Sequence, residues 1–247
     1  MSRTSRYAFI LAKMYGIMAR SFVGKNFRDL LRMKKLTELY DLLFPGERAE
    51  APAQTLAVAL EARIVQGGID SMKYVLESLK EPAEILVHVL RKLEYQGLKS
   101  AVRALVNGQG EPGRVWDLGP YASIHLEDAR DYEKEIRSSR YAWVLPLLKN
   151  QPLAQVENLL DRDYYSHLLQ LARALPAGDR TGVLRLVGLE ITLENVIWAL
   201  RLRFFYSMEA GAARALLIPG LGQTQRAAVM AVFEITPDSV EEWRKWK

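Results

Sequence analysis

Apolar residues in this chain recur mainly every three or four positions, which is the spacing of α-helices. Near the start, Leu30 and Leu31 share the face of a short predicted helix. A second helix is predicted to restart at Thr37 and to end at residues 45–46. Strand-like alternation is nearly absent, although residues 232–235 are compatible with an extended segment. The pattern therefore predicts an all-α fold.

Glycine and proline residues divide this helical pattern into segments. A helix over residues 56–64 is predicted to stop at Gly67 and Gly68, and Asp70 is predicted to cap the helix that follows. Pro82 is predicted to open a further helix, because proline is tolerated in the first turn.

Two breaks in the pattern suggest the domain organisation. Three glycines and one proline fall within residues 107–113, and a second break lies at residues 219–222. We predict a first helical lobe, a linker, a second helical lobe, and a final segment that is the start of a third lobe or a truncated C-terminus. These parts cover residues 1–106, 107–113, 114–218 and 219–247, respectively.

The two lobes contain related segments at an offset of 98 residues, which suggests an internal duplication. Each segment is predicted to be a helix with an arginine nine residues after a residue of the helix-capping type. Upstream of these segments the match is loose. The aligned pairs are Glu94 with Thr192, Gly97 with Asn195, and Arg103 with Arg201.

The second of these segments is predicted to be a buried helix that starts at Thr192, whose side chain would cap it. It carries apolar residues on two faces, and a helix of that kind packs between other helices. One face contains Leu193, Val196, Ile197, Leu200 and Phe204, and the other contains Trp198, Leu202 and Phe205.

Arginines within such apolar helices need partners, because an isolated buried charge costs several kcal/mol. Arg103 and Arg201 are therefore each expected to meet a carboxylate or the carbonyl groups at a helix end. A structural pairing is favoured over direct contact with a partner protein for both residues.

Composition narrows the possible chemistry. Hydrophobic residues make up 49% of the chain and charged residues 26%, which is typical of folded soluble proteins. The chain has no cysteine, which excludes disulfides, thiolate metal sites and cysteine nucleophiles. The longest stretch without a charge, residues 215–225, contains Pro219 and is too short for a transmembrane helix. Any association with a membrane is therefore expected to be peripheral or through a partner.

Basic residues are concentrated near the N-terminus, where residues 1–40 carry a net charge of +7 against +5 for the whole chain. This end could meet nucleic acid, anionic lipid or an acidic protein, or could be a solvated helix face. The apolar stretch of residues 7–19 is interrupted by Lys13 and is interpreted as mature structure. Aromatic residues within the basic segment fall at the spacing of a helical core, which weakens a base-stacking role.

The sequence contains few motifs that are typical of catalytic sites. The sequence contains no G-x-x-x-x-G-K-[ST] loop and no H-E-x-x-H motif. Asp161, Asp163 and His167 form the best local cluster for a metal or acid–base site. The preferred interpretation is a helix start with Asp161 near its N-terminus and a surface histidine. We therefore predict no catalytic residue, metal site or cofactor.

One segment resembles a known family: residues 192–203, which read Thr-Leu-Glu-Asn-Val-Ile-Trp-Ala-Leu-Arg-Leu-Arg. They resemble the D-x-x-N-x-x-x-x-x-R element of the V/A-type ATPase central-stalk subunit family. This subunit is called C in archaeal-type complexes and d in eukaryotic ones. Asn195 and Arg201 match this element, whereas Thr192 replaces the usual aspartate. The earlier segment, residues 94–103, keeps the acid and the arginine but has Gly97 in place of asparagine. The likeness extends in order and spacing over most of residues 7–220.

This resemblance implies a funnel-like body of three similar helical lobes that sits on the membrane rotor ring and receives the rotor shaft. The third lobe would be short or truncated here, with a helix starting at Thr236. The implied function is a non-catalytic adapter that couples shaft and ring for proton or other ion transport, peripheral on the cytoplasmic face of a membrane. Its partners would be the shaft subunits and the ring, with no nucleic acid and no small-molecule substrate. The alternative is a helical nucleic-acid-binding or other protein-interaction module.

The resemblance also assigns the candidate site. Glu94, Arg103, Asn195 and Arg201 are expected to serve in structural pairing or at an interface with a partner.

Overall fold

The predicted all-α class is confirmed, because every regular element is a helix in the part of the chain that the structure describes. The computed structural model describes residues 3–24, 27–47, 52, 55–79, 81–108, 113–126, 131–204, 206–220 and 222–234. The helices are α1 (Arg3–Arg20), α2 (Phe27–Arg32), α3 (Leu36–Leu43), α4 (Leu56–Glu77), α5 (Glu84–Leu90), α6 (Lys92–Asn107), α7 (Tyr132–Ser138), α8 (Val144–Leu147), α9 (Leu153–Ala174), α10 (Ala177–Phe204), α11 (Ala210–Arg214) and α12 (Gln223–Met230). Two 3₁₀ helices cover Gly119–Tyr121 and Ala231–Glu234.

The chain divides into two compact units, an N-terminal unit of residues 1–86 and a C-terminal unit of residues 87–247. The division into lobes and the internal duplication stay predictions. The helix expected from Thr236 lies outside the described residues, as does Phe205. None of the described helices combines the length and the low polarity that crossing a membrane requires.

The core of the N-terminal unit lies between α3 and α4. Tyr40 packs with Leu56 and Leu60, and partly buried side chains of α3 surround them. On the edge of this cluster, the Arg63 guanidinium donates to the Tyr40 hydroxyl and pairs with Glu47. These contacts hold α3 against the first half of α4.

Helix α4 corrects the predicted stop at Gly67 and Gly68, because it runs without interruption from Leu56 to Glu77. Each glycine in a helix costs about 1 kcal/mol of stability relative to alanine. Burial of Ile69 and Leu76, which follow the two glycines, outweighs that cost. Asp70 is therefore not a cap; it lies inside the helix and accepts a hydrogen bond from the Gln66 amide at 2.9 Å.

Two aromatic residues of the basic segment, Tyr15 and Phe27, do not belong to the core, contrary to their helical spacing. Tyr15 is 62% exposed and Phe27 is 50% exposed. Helix α1 packs along α4, and its side chains of Leu11 and Met18 are also exposed. On the packed face, Lys13 donates to the Ser78 hydroxyl at 2.5 Å and stands 3.6 Å from the ring centroid of Tyr74.

Helices α6, α9 and α10 form the centre of the C-terminal unit, with α12 packed on α10. Each contributes buried apolar residues at helical spacing. The buried residues include Tyr95, Leu98 and Val102 of α6; Val156, Leu160, Tyr164, Leu168 and Ala172 of α9; and Val187, Ile191, Trp198 and Leu202 of α10.

Two predicted local features of this unit are wrong. Thr192 does not start a helix, because α10 begins fifteen residues earlier and buries Val187 and Ile191 before reaching it. The Thr192 hydroxyl instead donates to the Gly188 carbonyl at 2.7 Å. Val232 is not extended; it lies fully buried in the second 3₁₀ helix, where it contributes to the packing beside α10.

The continuity of α4 leads to a stability prediction. Gly68 is exposed, and a Cβ added there meets no atom within 4 Å. Gly68→Ala should therefore raise the free energy of unfolding by about 0.5–1 kcal/mol, because alanine loses less backbone entropy in a helix. Urea unfolding followed by circular dichroism measures the change.

The control is a glycine whose backbone conformation disfavours any other residue. Gly220 has a φ of +101°, and a Cβ there would lie 2.5 Å from Leu169 Cδ1. Gly220→Ala should lower the free energy of unfolding by about 1–2 kcal/mol, because this backbone conformation disfavours L residues. Destabilisation by Gly68→Ala would contradict an uninterrupted α4.

Candidate functional site

Glu94, in the first turn of α6, is a buried carboxylate surrounded by donors. It accepts hydrogen bonds from the Ser123 amide at 2.5 Å, from the Ser123 hydroxyl, and from the Tyr141 hydroxyl at 2.5 Å. A buried charge is tolerable only with such partners. Burial raises the pKa of the Tyr141 phenol, so that group stays protonated and donates. Glu94 therefore ties α6 to the chain on either side of α7.

Asn195 makes an equivalent connection from α10. Its Nδ2 donates to the Ile218 carbonyl at 3.0 Å, and its Oδ1 accepts from the Ile218 amide at 2.7 Å. Both residues are almost fully buried. One side chain thus satisfies both backbone groups of a residue outside regular secondary structure, and anchors the segment after α11 to α10.

Arg103 lies on the exposed side of α6 rather than in its apolar face. Its Nε donates to Glu157 of α9 at 2.5 Å. The hydrogen bond to Glu157 raises the pKa of Arg103. Because the Arg103 side chain is half exposed, this pair contributes at most about 1 kcal/mol to stability.

Arg201 is exposed, which differs from the expectation of a buried cation. Its guanidinium carbon stands 5.7 Å from the ring centroid of Trp198. The described residues offer the guanidinium no hydrogen-bond acceptor, so its donors face solvent.

Helix α10 is apolar on two faces, but only one is covered by the described residues. The covered face includes Val187, Ile191, Asn195, Trp198 and Leu202. The opposite face carries large apolar side chains that are between 38% and 69% exposed. We call this face the α10 stripe; it consists of Leu186, Leu189, Leu193, Ile197 and Phe204. The sequence showed the two apolar faces, but it could not show that only one would be covered.

Beside the stripe lies a small polar cleft of about 220 Å³ between α6, α9 and α10. Lys92 pairs with Glu190 at 2.6 Å and with Glu194 at 3.5 Å. Lys99 pairs with Asp161 across the same cleft. The charges therefore balance one another across three helices, and Arg201 lies at the edge.

The cluster of Asp161, Asp163 and His167 does not assemble into one site. Asp161 pairs with Lys99, and Asp163 accepts from the Tyr95 hydroxyl at 2.5 Å. Asp161 lies in the middle of α9, not at a helix start, because α9 begins at Leu153. Within the described ranges, no group of three or more His, Asp or Glu side chains could hold a metal ion.

His88 was missing from the sequence-based candidates, yet its side chain is fully buried and packs against Tyr164, which lines this cleft. Its ring stacks on Tyr164 with centroids 4.8 Å apart and lies 4.6 Å from the His167 ring. Its Nε2 donates to the Tyr164 carbonyl at 2.9 Å, which leaves Nδ1 buried without a partner among the described residues. Burial lowers the pKa of His88 to about 4.

Comparisons with known proteins identify relatives of this chain. The model of the ATP synthase (C/AC39) subunit family matches residues 10–243. An uncharacterized protein of Treponema pallidum (strain Nichols) is 27% identical over 205 residues, which is 81% of this chain. The chain spans 59% of the length of that relative. No solved structure matches the chain. These comparisons give no support to nucleic-acid binding.

The Ile218 anchor predicts a large effect of Asn195→Ala. The substitution leaves two buried backbone groups without partners, which should cost about 1–3 kcal/mol for each group. Asn158→Ala is the matched control, because Asn158 is equally buried but its Nδ2 has no partner among the described residues. Urea unfolding of the two variants should show the larger loss for Asn195→Ala. Equal losses would contradict the anchoring role.

The buried imidazole of His88 predicts an acid-sensitive stability. Its pKa rises from about 4 in the folded state to 6.5 in the unfolded state, so below pH 6.5 the unfolded state binds more protons. This contribution is complete above pH 6.5, and from pH 7 to pH 5 its loss should lower the unfolding free energy by about 2 kcal/mol.

Urea unfolding at the two pH values measures this slope in wild type and in His88→Gln. The variant should lose about 2 kcal/mol of the pH dependence, whereas His125→Gln, at an exposed position, should keep it. An unchanged slope in His88→Gln would show that other groups carry the acid sensitivity.

Proposed function

The chain belongs to the ATP synthase (C/AC39) subunit family, which is a family of V/A-type ATPase subunits, and from this membership we propose that it is a non-catalytic central-stalk adapter of a rotary ATPase. In this proposal it couples the rotor shaft to the membrane rotor ring for ion transport. It turns with both and is held peripherally at the cytoplasmic face of the membrane through the ring.

The observation that carries the interaction role is the α10 stripe. Five large apolar side chains lie exposed along one face of a 28-residue helix. Contiguous exposed apolar surface typically marks a site of protein–protein contact. Burying a fully exposed side chain of this size contributes about 1.5–3 kcal/mol, and because these side chains are already partly buried, each would contribute roughly half of that before the costs of association. The stripe is therefore our candidate for the surface that meets a protein of the stalk or the ring.

Arg201 fits the margin of such an interface better than a structural pairing. It is exposed beside Ile197, its guanidinium has no acceptor in the described part of the chain, and arginine is enriched at interfaces. Glu94, Asn195 and Arg103 fit a different role. Their hydrogen bonds are made within the C-terminal unit, so we assign them to holding its helices together.

Torque transmission needs a body that deforms little. The long helices α9 and α10 extend about 33 and 42 Å, respectively, at 1.5 Å per residue. Dense packing of Leu168, Ala172 and Ile191 between these helices and their neighbours resists deformation. The ion pairs of Lys92 and Lys99 add links between the same helices. This construction suits a mechanical connector.

Co-purification tests the proposal. The chain, co-expressed with the shaft subunits and the rotor ring of its own ATPase, should co-purify with them, and alone it should hydrolyse no ATP. Ile197→Asp should reduce recovery of the partners about tenfold or more, because a carboxylate would enter an apolar contact. Val106→Asp is the matched control, since Val106 of α6 is 49% exposed and Ile197 is 45% exposed.

The results test the adapter role and the use of the α10 stripe as the contact surface separately. Loss with Ile197→Asp but not with Val106→Asp supports the stripe as the contact surface. Equal recovery with both variants removes the stripe from the interface but leaves the adapter role. ATP hydrolysis by the pure chain, or failure of the wild type to co-purify with any of these partners, would reject the adapter role itself.

A further inference from the structure

A second concave surface of the C-terminal unit lies away from the α10 stripe, between α9, α11 and α12. It is a cleft of about 710 Å³, within the range of roughly 300–1,000 Å³ that small-molecule sites occupy. Three arginines line it, one from each helix, and no acidic side chain does so among the described residues. We call it the arginine cleft; its arginines are Arg162, Arg214 and Arg226.

The three guanidinium groups have few partners among the residues that the structure describes. Arg162 donates once, from Nη1 to the Ala215 carbonyl at 3.0 Å, and this bond fixes the group at the cleft wall. Arg214 and Arg226 are exposed, and neither forms an ion pair within the described ranges. Elsewhere in this unit Lys92, Lys99 and Arg103 do have carboxylate partners. The cleft thus gathers positive charge without compensation from its described lining.

Backbone donors reinforce this charge. Helix α12 begins at the cleft with Gln223, and the first amides of a helix have no acceptor within it. Its N-cap residue is Gly222, which has no side-chain oxygen to satisfy them. The first backbone bond of the helix runs from the Arg226 amide to the Gly222 carbonyl at 3.0 Å. Gln223 and Arg226 of the first turn of α12 line the cleft, so the positive end of the helix lies close to the arginines.

The shape of the cleft is held by two tight constraints. Asn195 clamps both backbone groups of Ile218, which lies in the cleft floor. Gly220 follows with a φ of +101°, a backbone conformation that L residues rarely adopt, and it passes so close to Leu169 that an added Cβ would force that side chain to shift. Ile218 and Gly220 are thus held in place without a ligand, which lowers the entropic cost of binding.

We propose that the arginine cleft binds a phosphate-bearing anion. Guanidinium groups match phosphate oxygens with paired N–H donors, and the end of a helix adds backbone amides. The floor of Leu217, Ile218, Val229 and Met230 can accept the apolar portion of such a ligand. The phosphate can belong to a soluble metabolite or to a lipid headgroup. This site is independent of the stalk role proposed above.

Binding of pyrophosphate to the full chain by calorimetry tests the soluble source. Co-sedimentation with phosphatidylcholine vesicles that contain phosphatidic acid tests the headgroup, with pure phosphatidylcholine as the blank. The double variant Arg214→Gln/Arg226→Gln should weaken binding about tenfold or more, because it removes two charge-assisted donors. Arg185→Gln, at an exposed position on α10 outside the cleft, should change affinity by less than about twofold.

Each result has one meaning once circular dichroism shows that the variants are folded. Variant-sensitive binding of either probe supports the site. Binding of pyrophosphate alone indicates a soluble ligand, binding of the phosphatidic acid vesicles alone indicates a lipid headgroup, and binding of both indicates that the cleft recognises the phosphate group itself. Absence of binding to both probes overturns it. Equal losses with Arg185→Gln and with the double variant also overturn it, because they indicate only general attraction between charges. Binding of polyglutamate without phosphate affinity would assign the cleft to an acidic peptide and reject the proposal.

Discussion

The cost of burying a polar group without a partner is the constraint on which the C-terminal unit depends. Asn195 is buried in α10, and the two backbone groups of Ile218 satisfy its amide. Glu94 is buried in α6, and Ser123 and Tyr141 supply its donors. In both cases a buried polar side chain of a core helix specifies where an irregular segment must lie. Apolar packing alone would hold those segments less specifically, because hydrophobic contact is non-directional.

These connections also organise the surfaces. With Ile218 fixed against α10, the chain continues through Gly220 into α12, so Arg214 and Arg226 reach the same cleft as Arg162. On its opposite side α10 carries the stripe, which no described helix covers. One helix therefore supports a cationic concave surface on one side and an apolar convex surface on the other. The two surfaces suit different kinds of partner, an anion and a protein.

Charge is used in two ways within this unit. Between α6, α9 and α10, Lys92 and Lys99 face carboxylates, and such pairs restrict how the helices slide past one another while contributing little stability. In the arginine cleft the charges have no carboxylate partner among the described lining residues. His88 adds a neutral imidazole to the core, and its lowered pKa couples the stability of the unit to pH.

The sequence by itself determined the helical class and the short helix around Leu30, because these depend on the local spacing of apolar residues. It also determined the break after residue 107, because that break depends on turn residues. The resemblance that the family match supports depends on the order of motifs. Only the tertiary structure decided that α4 continues through Gly67 and that α10 continues through Thr192, since burial of distant residues outweighs a local helix signal. It alone decided that Arg201 is exposed and that three arginines of separate helices share one cleft. Exposure and convergence depend on which faces are covered by elements far away in the chain, and no local pattern encodes that information.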